Sequence, residues 1–277
     1  MLKKIIFIAL LFVFKTNAQS FKTMTYNIRL DVTSDGKNSW SNRKDYFVSQ
    51  VKFYEPDIIG FQEVLPNQLE YLASSLVDYS YIAKGREENG EGEASAIFYK
   101  KDRYRVVDSN TFWLSETPEV VSKGWDAACT RVCTYALLKD NTTGKSFLVF
   151  NTHLDHVGQV ARMKGMELIL SNIEKINSEK YPVVLMGDFN STPDNEVVKH
   201  LKTKMDDSRS VSISEPFGPS GTFNKFEHNK SVKNLIDYIF VSKNSTLIVL
   251  KYAVLSDSKD LRYPSDHLPV FAEIEFK

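Results

Sequence analysis

Short apolar runs alternate with amphipathic stretches along the chain, and their periods set the elements. Phe21 to Tyr26 alternates apolar and polar side chains, which predicts an opening strand ending at Asn27. Residues 28–39 are polar and turn-rich. Trp40, Phe47, Val48 and Val51 then recur at helical spacing, and that helix ends before Pro56. Asp57 to Phe61 reads as a second strand, with Gln62-Glu63 at its C-terminal end. Pro66 to Leu76 predicts a helix with proline in its first turn and Leu69, Leu72 and Leu76 on one face. Tyr79–Ala83, Ala94–Tyr99 and Tyr104–Trp113 follow as strands. The acidic, glycine-rich stretch from Gly85 to Glu93 lies between the first two as a surface loop.

An irregular loop covers 115–128. Strands over 130–138 and 146–152 are joined by the turn Asp140-Asn141-Thr142-Thr143-Gly144. Val160 to Ile176 is amphipathic, with Met163, Met166, Ile169, Leu170 and Ile173 inward. It leads to Val183-Val184-Leu185-Met186, a short apolar run that predicts a buried strand. Gly187-Asp188-Phe189-Asn190-Ser191-Thr192-Pro193 follows. Extended backbone would place Asp188 and Asn190 on one side, and the proline stops the strand. Asn234–Val241, Thr246–Tyr252 and Leu268–Phe276 supply the last strands. Strand pairs with occasional helices predict an α+β sandwich, two sheets covered outside by helices; a doubly wound sheet needs more regular βα repeats. No Gly/Ser/Pro-rich linker, low-complexity tract or internal repeat divides the chain, so one domain is expected.

The N-terminus changes that picture. Lys3 and Lys4 precede an apolar run from Ile5 to Phe14, and Thr16-Asn17-Ala18 follows, the pattern of a secretory signal peptide. The run is short of the roughly 20 residues that span a bilayer, so stable membrane insertion is not expected. Residues 1–18 are read as the signal peptide and 19–277 as the domain, an exported protein, periplasmic or secreted. Losing Lys3, Lys4 and Lys15 turns 35 basic against 35 acidic residues into 32 against 35, a net of −3. A duplex-binding protein usually carries a basic excess. Cys129 and Cys133 would stand roughly 13 Å apart along a strand, beyond the roughly 7 Å reach of a disulfide, so both are read as free, inward-facing thiols.

Polar residues gather where the strands end: Asn27, Glu63, His153, Asp188, Asn190, Asp237, Asp266 and His267. Each alone has a plain reading as a cap or turn. Asp237 is the exception, because an ionised carboxylate inside an apolar run is costly unless paired. Convergence of many such groups marks a site. The set is rich in hard oxygen ligands and histidine, which favours magnesium, manganese or calcium over a zinc cage.

Six segments carry a resemblance. In order they are Thr25-Tyr26-Asn27-Ile28, Gly60-Phe61-Gln62-Glu63-Val64, Asn151-Thr152-His153-Leu154, Gly187-Asp188-Phe189-Asn190, Ile236-Asp237-Tyr238-Ile239 and Ser265-Asp266-His267-Leu268-Pro269-Val270. They resemble the motifs of the endonuclease/exonuclease/phosphatase (deoxyribonuclease I-like) superfamily, from about Phe21 to the C-terminus. The resemblance implies a four-layered αββα sandwich that hydrolyses a phosphoester with Mg2+, Mn2+ or Ca2+. It makes Glu63 the main metal ligand, with Asn27 nearby and Asp266 a further ligand. Asp188 would deprotonate the attacking water and Asn190 hold that water or a phosphate oxygen. His267, oriented by Asp237, and His153 would contact the phosphate. Glu93 is read equally as support for His153 or as one more acid of its loop. Arg131 is read equally as a bidentate phosphate ligand or as a surface-strand arginine. His156, His200 and His228 are read as structural or solvent-facing. Trp113 and Trp125 could line the cleft or simply pack. A small phosphoester substrate and a monomer are expected. An exported nuclease is the alternative, and the retained acids and histidines argue against a silent binding module.

Overall fold

In the computed structural model, which describes residues 20–243 and 246–277, twelve strands form two six-stranded sheets. The signal-peptide segment lies outside the described residues. The first sheet contains β1 (Ser20–Asn27), β2 (Ile58–Val64), β3 (Tyr79–Ile82), β4 (Ala94–Lys100), β11 (Leu247–Val254) and β12 (Val270–Phe276), in the order β11-β12-β1-β2-β4-β3. The second contains β5 (Tyr104–Trp113), β6 (Val132–Asp140), β7 (Ser146–His153), β8 (Val183–Asp188), β9 (Met205–Asp207) and β10 (Asp237–Ser242), in the order β5-β6-β7-β8-β10-β9.

Alternation decides what each face of a strand meets. Phe21, Ile58 and Ile97 of the first sheet pack between the sheets against Leu138, Phe147, Val149, Val184 and Ile239 of the second. Met24, Tyr26, Ile59 and Phe61 point the other way, onto Phe47, Val48 and Val51 of α1 (Trp40–Tyr54) and Leu72 of α2 (Pro66–Ser75). On the second sheet, Leu148, Phe150, Leu185 and Phe240 carry Met166 and Ile169 of α3 (Gln159–Ile176). They also meet Val197, Val198 and Leu201 of α4 (Glu196–Lys204). The layers are therefore α, β, β, α. The stretch 196–211 forms elements that the hydrophobic pattern leaves unmarked: α4, β9 and the short α5 (Ser208–Val211).

Pairing direction brings the site together. β1 and β2 are parallel, and so are β7 and β8, with His153 opposite Asp188. Their C-terminal ends thus collect at one edge of the sandwich. β10 runs antiparallel to β8 and starts there, Asp237 opposite Asp188. β12 runs antiparallel to β1, so Asp266 and His267, just before it, reach the same edge. β10 and β12 start later than the apolar runs suggest; ahead of them, Asn234 and His267 each bridge to Phe223.

Candidate active site

Asp188 is placed by its glycine. A Cβ on Gly187 would collide with the Thr152 carbonyl oxygen, and the residue has φ 149, so only glycine lets β8 approach β7 here. Beyond Asp188 the backbone differs from the expected extended run. Asn190 has φ 46, and its N–H donates to Asp188 Oδ1 at 2.9 Å, an Asx turn. Phe189 is buried between them and stacks on Tyr238 at 5.2 Å. The two polar side chains meet through a turn instead of strand alternation. Asn190 Nδ2 donates to Leu154 O and contacts His153 Nε2, both at 3.0 Å.

Around Asp188 the other groups close in. Asn27 Nδ2 donates to Asp188 Oδ2 at 3.0 Å and to Glu63 Oε1 at 2.9 Å, while its oxygen accepts from the Arg29 N–H. Asn27 therefore tethers two carboxylates, and its oxygen is turned away from them. Glu63 Oε2 accepts from Leu30 N–H at 2.9 Å. His153 Nε2 lies 3.4 Å and His267 Nε2 3.8 Å from Asp188 Oδ2. Asp237, fully buried, accepts from His267 Nδ1 at 2.9 Å. Ser265 Oγ donates to Asn27 O at 2.7 Å and so fixes the Asp266 turn to the end of β1.

Charge is unevenly matched. Burial, reinforced by Asp237, raises the Asp188 carboxyl to about 7. Burial also raises the Asp266 carboxyl from its ordinary value. For His267 burial favours the neutral ring, but the charge and hydrogen bond of Asp237, with Asp188 and Asp266, outweigh it and hold the ring's pKa well above the ordinary value. His153 is driven the opposite way, first by burial and then by Arg131 and His267, so it is a neutral imidazole. Glu63, Asp188 and Asp266 line one cavity with Arg29, whose Nε is 4.0 Å from Asp266. Hard oxygen donors with more negative than positive charge fit a divalent cation such as magnesium.

The same cavity is also lined by Arg86, Glu93, Cys129, Arg131 and His156. Glu93 lines the cavity together with His153 and pairs with Arg86 at 2.7 Å. Glu93 and Arg86 meet because the acidic loop folds back, with Gly85 bridged to Ala94. Arg131 is buried, with Nε 3.5 Å from Asp155 and its other end 3.0 Å from His156 Nδ1. His156 is exposed at the rim, whereas Trp113 is buried and donates to Arg86 O. Cys129 and Cys133 are both free; Cys129 faces the cavity and Cys133 the α3 side. Arg29, Arg86 and Phe223 line the cavity without having been singled out in the sequence. Arg29 stood two residues past Asn27, a usable signal, but the loop position of Phe223 gave none.

Similarity to known proteins agrees with this geometry. The profile of the Endonuclease/Exonuclease/phosphatase family matches residues 24–267. An endonuclease/exonuclease/phosphatase from Bacteroides vulgatus is 38% identical, covering 94% of this chain and 100% of its own, with a TM-score of 0.87. A mannosyl-6-phosphatase of Bacteroides thetaiotaomicron is 35% identical, over 92% of this chain and 100% of its own, again at 0.87. Rat nocturnin is 22% identical over 92% of this chain, which spans 65% of that protein's length. The αββα sandwich, the edge where its carboxylates and histidines converge and the match over 24–267 have one reading: the chain belongs to the endonuclease/exonuclease/phosphatase family of phosphoester hydrolases.

Proposed function

We propose that the protein is an exported, divalent-metal-dependent hydrolase of a small phosphoester, with phosphorylated sugars the leading class. The observation that carries this is the cavity itself. It is about 320 Å³ and sets the carboxylate cluster beside Arg29, Arg86 and Arg131. That is the small end of the roughly 300–1,000 Å³ range of small-molecule sites. The similarity to a mannosyl-6-phosphatase supports the same class. The signal-peptide pattern of residues 1–18 supports export, with 19–277 as one monomeric catalytic domain.

Asp188, raised to about 7, is poised near neutrality to take a proton from the attacking water. Asn190 orients that water or a phosphate oxygen from its turn. His267, kept protonated by Asp237, donates to the phosphate as negative charge develops, and neutral His153 steadies a second oxygen. Glu63 and Asp266, with Asn27 beside them, would hold a magnesium ion, which would supply positive charge to neutralise the phosphate; manganese or calcium fits the same donors. Arg131 and Arg86 hold the far side of the substrate.

The test compares hexose 6-phosphate, p-nitrophenyl phosphate, bis-p-nitrophenyl phosphate and plasmid DNA, with Mg2+ and with EDTA. Phosphate release from a monoester, lost with EDTA and at least 10²-fold lower in Asp188→Ala and His267→Ala, is expected. Plasmid cleavage outpacing every small substrate would make the protein a nuclease instead.

A further inference from the structure

Glu63 ought not to face the cavity. Phe61 and Ile59, two and four residues earlier, point to the helices, and strict alternation would send Glu63 after them. A β-bulge prevents this. β2 pairs with β4 through Phe61 and Ala96, and the next pair is Val64 with Ala94, so Gln62 and Glu63 together oppose Ser95. Glu63 takes φ 62, a left-handed conformation with a cost for any residue but glycine. Something must hold that backbone in place.

Asn151 meets the requirement from the other sheet. It lies on β7, two residues before His153, buried between the sheets. Its Nδ2 donates to Phe61 O at 2.9 Å and to Ala96 O at 2.8 Å, the last regular pair before the bulge. Its Oδ1 accepts from Gln62 Nε2 at 2.7 Å, inside the bulge. Gln62 Nε2 reaches on to Thr25 Oγ1 and Gly60 O, which joins the strand that bears Asn27. Gly60 leaves the space: a Cβ there would stand 2.7 Å from Asn151 Oδ1. Apart from the Asn27–Asp188 bond at the cleft, the inner faces of the two sheets meet mainly through apolar side chains, which fix no register as sharply as three buried hydrogen bonds.

We propose that Asn151 is a positioning residue: it locks the bulge that turns Glu63 into the cleft and registers the Glu63 sheet against the sheet bearing His153 and Asp188. The inference rests on Glu63 holding a cation, as above. Partners that orient metal ligands typically change affinity by about 10–100-fold when removed.

The test is the rise in melting temperature with added Mn2+, read alongside activity as a function of Mn2+. Asn151→Ala is compared with Val149→Ala, which removes buried volume from the same inward face of β7 and leaves the bulge alone. The half-saturating Mn2+ is expected to rise about tenfold or more in Asn151→Ala by both readouts, and to stay at the wild-type value in Val149→Ala. A wild-type midpoint in Asn151→Ala, or an equal rise in Val149→Ala, overturns the proposal. Should Asn151→Ala not fold, Gln62→Met removes one bond of the clamp and is held to the same criterion. Absence of any Mn2+ stabilisation in the wild type would remove the cation from Glu63, and both readings would fall together.

Discussion

Asp155 carries a buried charge that the cavity wall depends on. Its Oδ1 accepts from the N–H groups of Val157 at 2.9 Å and Gly158 at 2.7 Å, and its Oδ2 from Ala128 at 3.1 Å, with Arg131 Nε 3.5 Å away. Burial alone would raise this carboxyl, but the N–H donors and Arg131 outweigh it and hold it at about 2. A depressed acid stabilises the fold fully above its unfolded value, roughly 4. The contribution is lost as pH falls through about 2. Asp155→Asn is therefore expected to cost about 2 kcal/mol at pH 7, with the gap from wild type narrowing below about pH 4. Urea unfolding at several pH values checks it, and a gap independent of pH would refute the charge argument. Single residues also show what the sequence could say. Asp237 was legible, since a carboxylate in an apolar run must have a partner, and His267 is that partner. Glu93 was not, because Arg86 reaches it only through the folding back of a loop that no periodicity marks.

β8 shows how far a strand depends on one position. Gly187→Ala would force a methyl group against the Thr152 carbonyl and place alanine at φ 149, which spreads β7 from β8. A loss of about 3 kcal/mol in unfolding stability is expected, with activity falling further than stability because Asp188 and His153 sit on the two strands that part. Wild-type turnover in that variant would mean the β7–β8 spacing does not position the site. β1, with its alternation, and β7, with its apolar run Phe147–Phe150, were legible to within a residue or two. The bulge at Glu63 was not, since Gln62-Glu63 reads as ordinary strand end and the cause lies on another sheet. Nor was β9, whose Met205-Asp206-Asp207 has no apolar alternation and pairs only at the sheet edge, with β10.

The whole molecule carries little net charge, 32 basic against 35 acidic residues once residues 1–18 are set aside. Proteins that neutralise many phosphates lose about 10³–10⁵ in affinity between 50 and 200 mM salt. Here kcat/KM on a hexose phosphate is expected to change by less than about threefold over that range, because one phosphate pocket displaces few counterions. A steep fall would return the choice to a polyanionic substrate. The pairing of Ser20 with Glu275 has a consequence of another kind. β1 and β12 lie side by side and both run to the edge of the sandwich away from the cleft. Ser20 is thus about seven residues, roughly 23 Å, from Asn27 along the strand. Whatever is joined to the chain at Ser20, a tag, a bead or a neighbouring domain, hangs from the floor of the molecule while the mouth stays open to solvent. A linker closing Ser20 onto Phe276, with new ends cut at the Asp140–Gly144 turn, would keep every strand pair and change only the order in which the ribosome writes them.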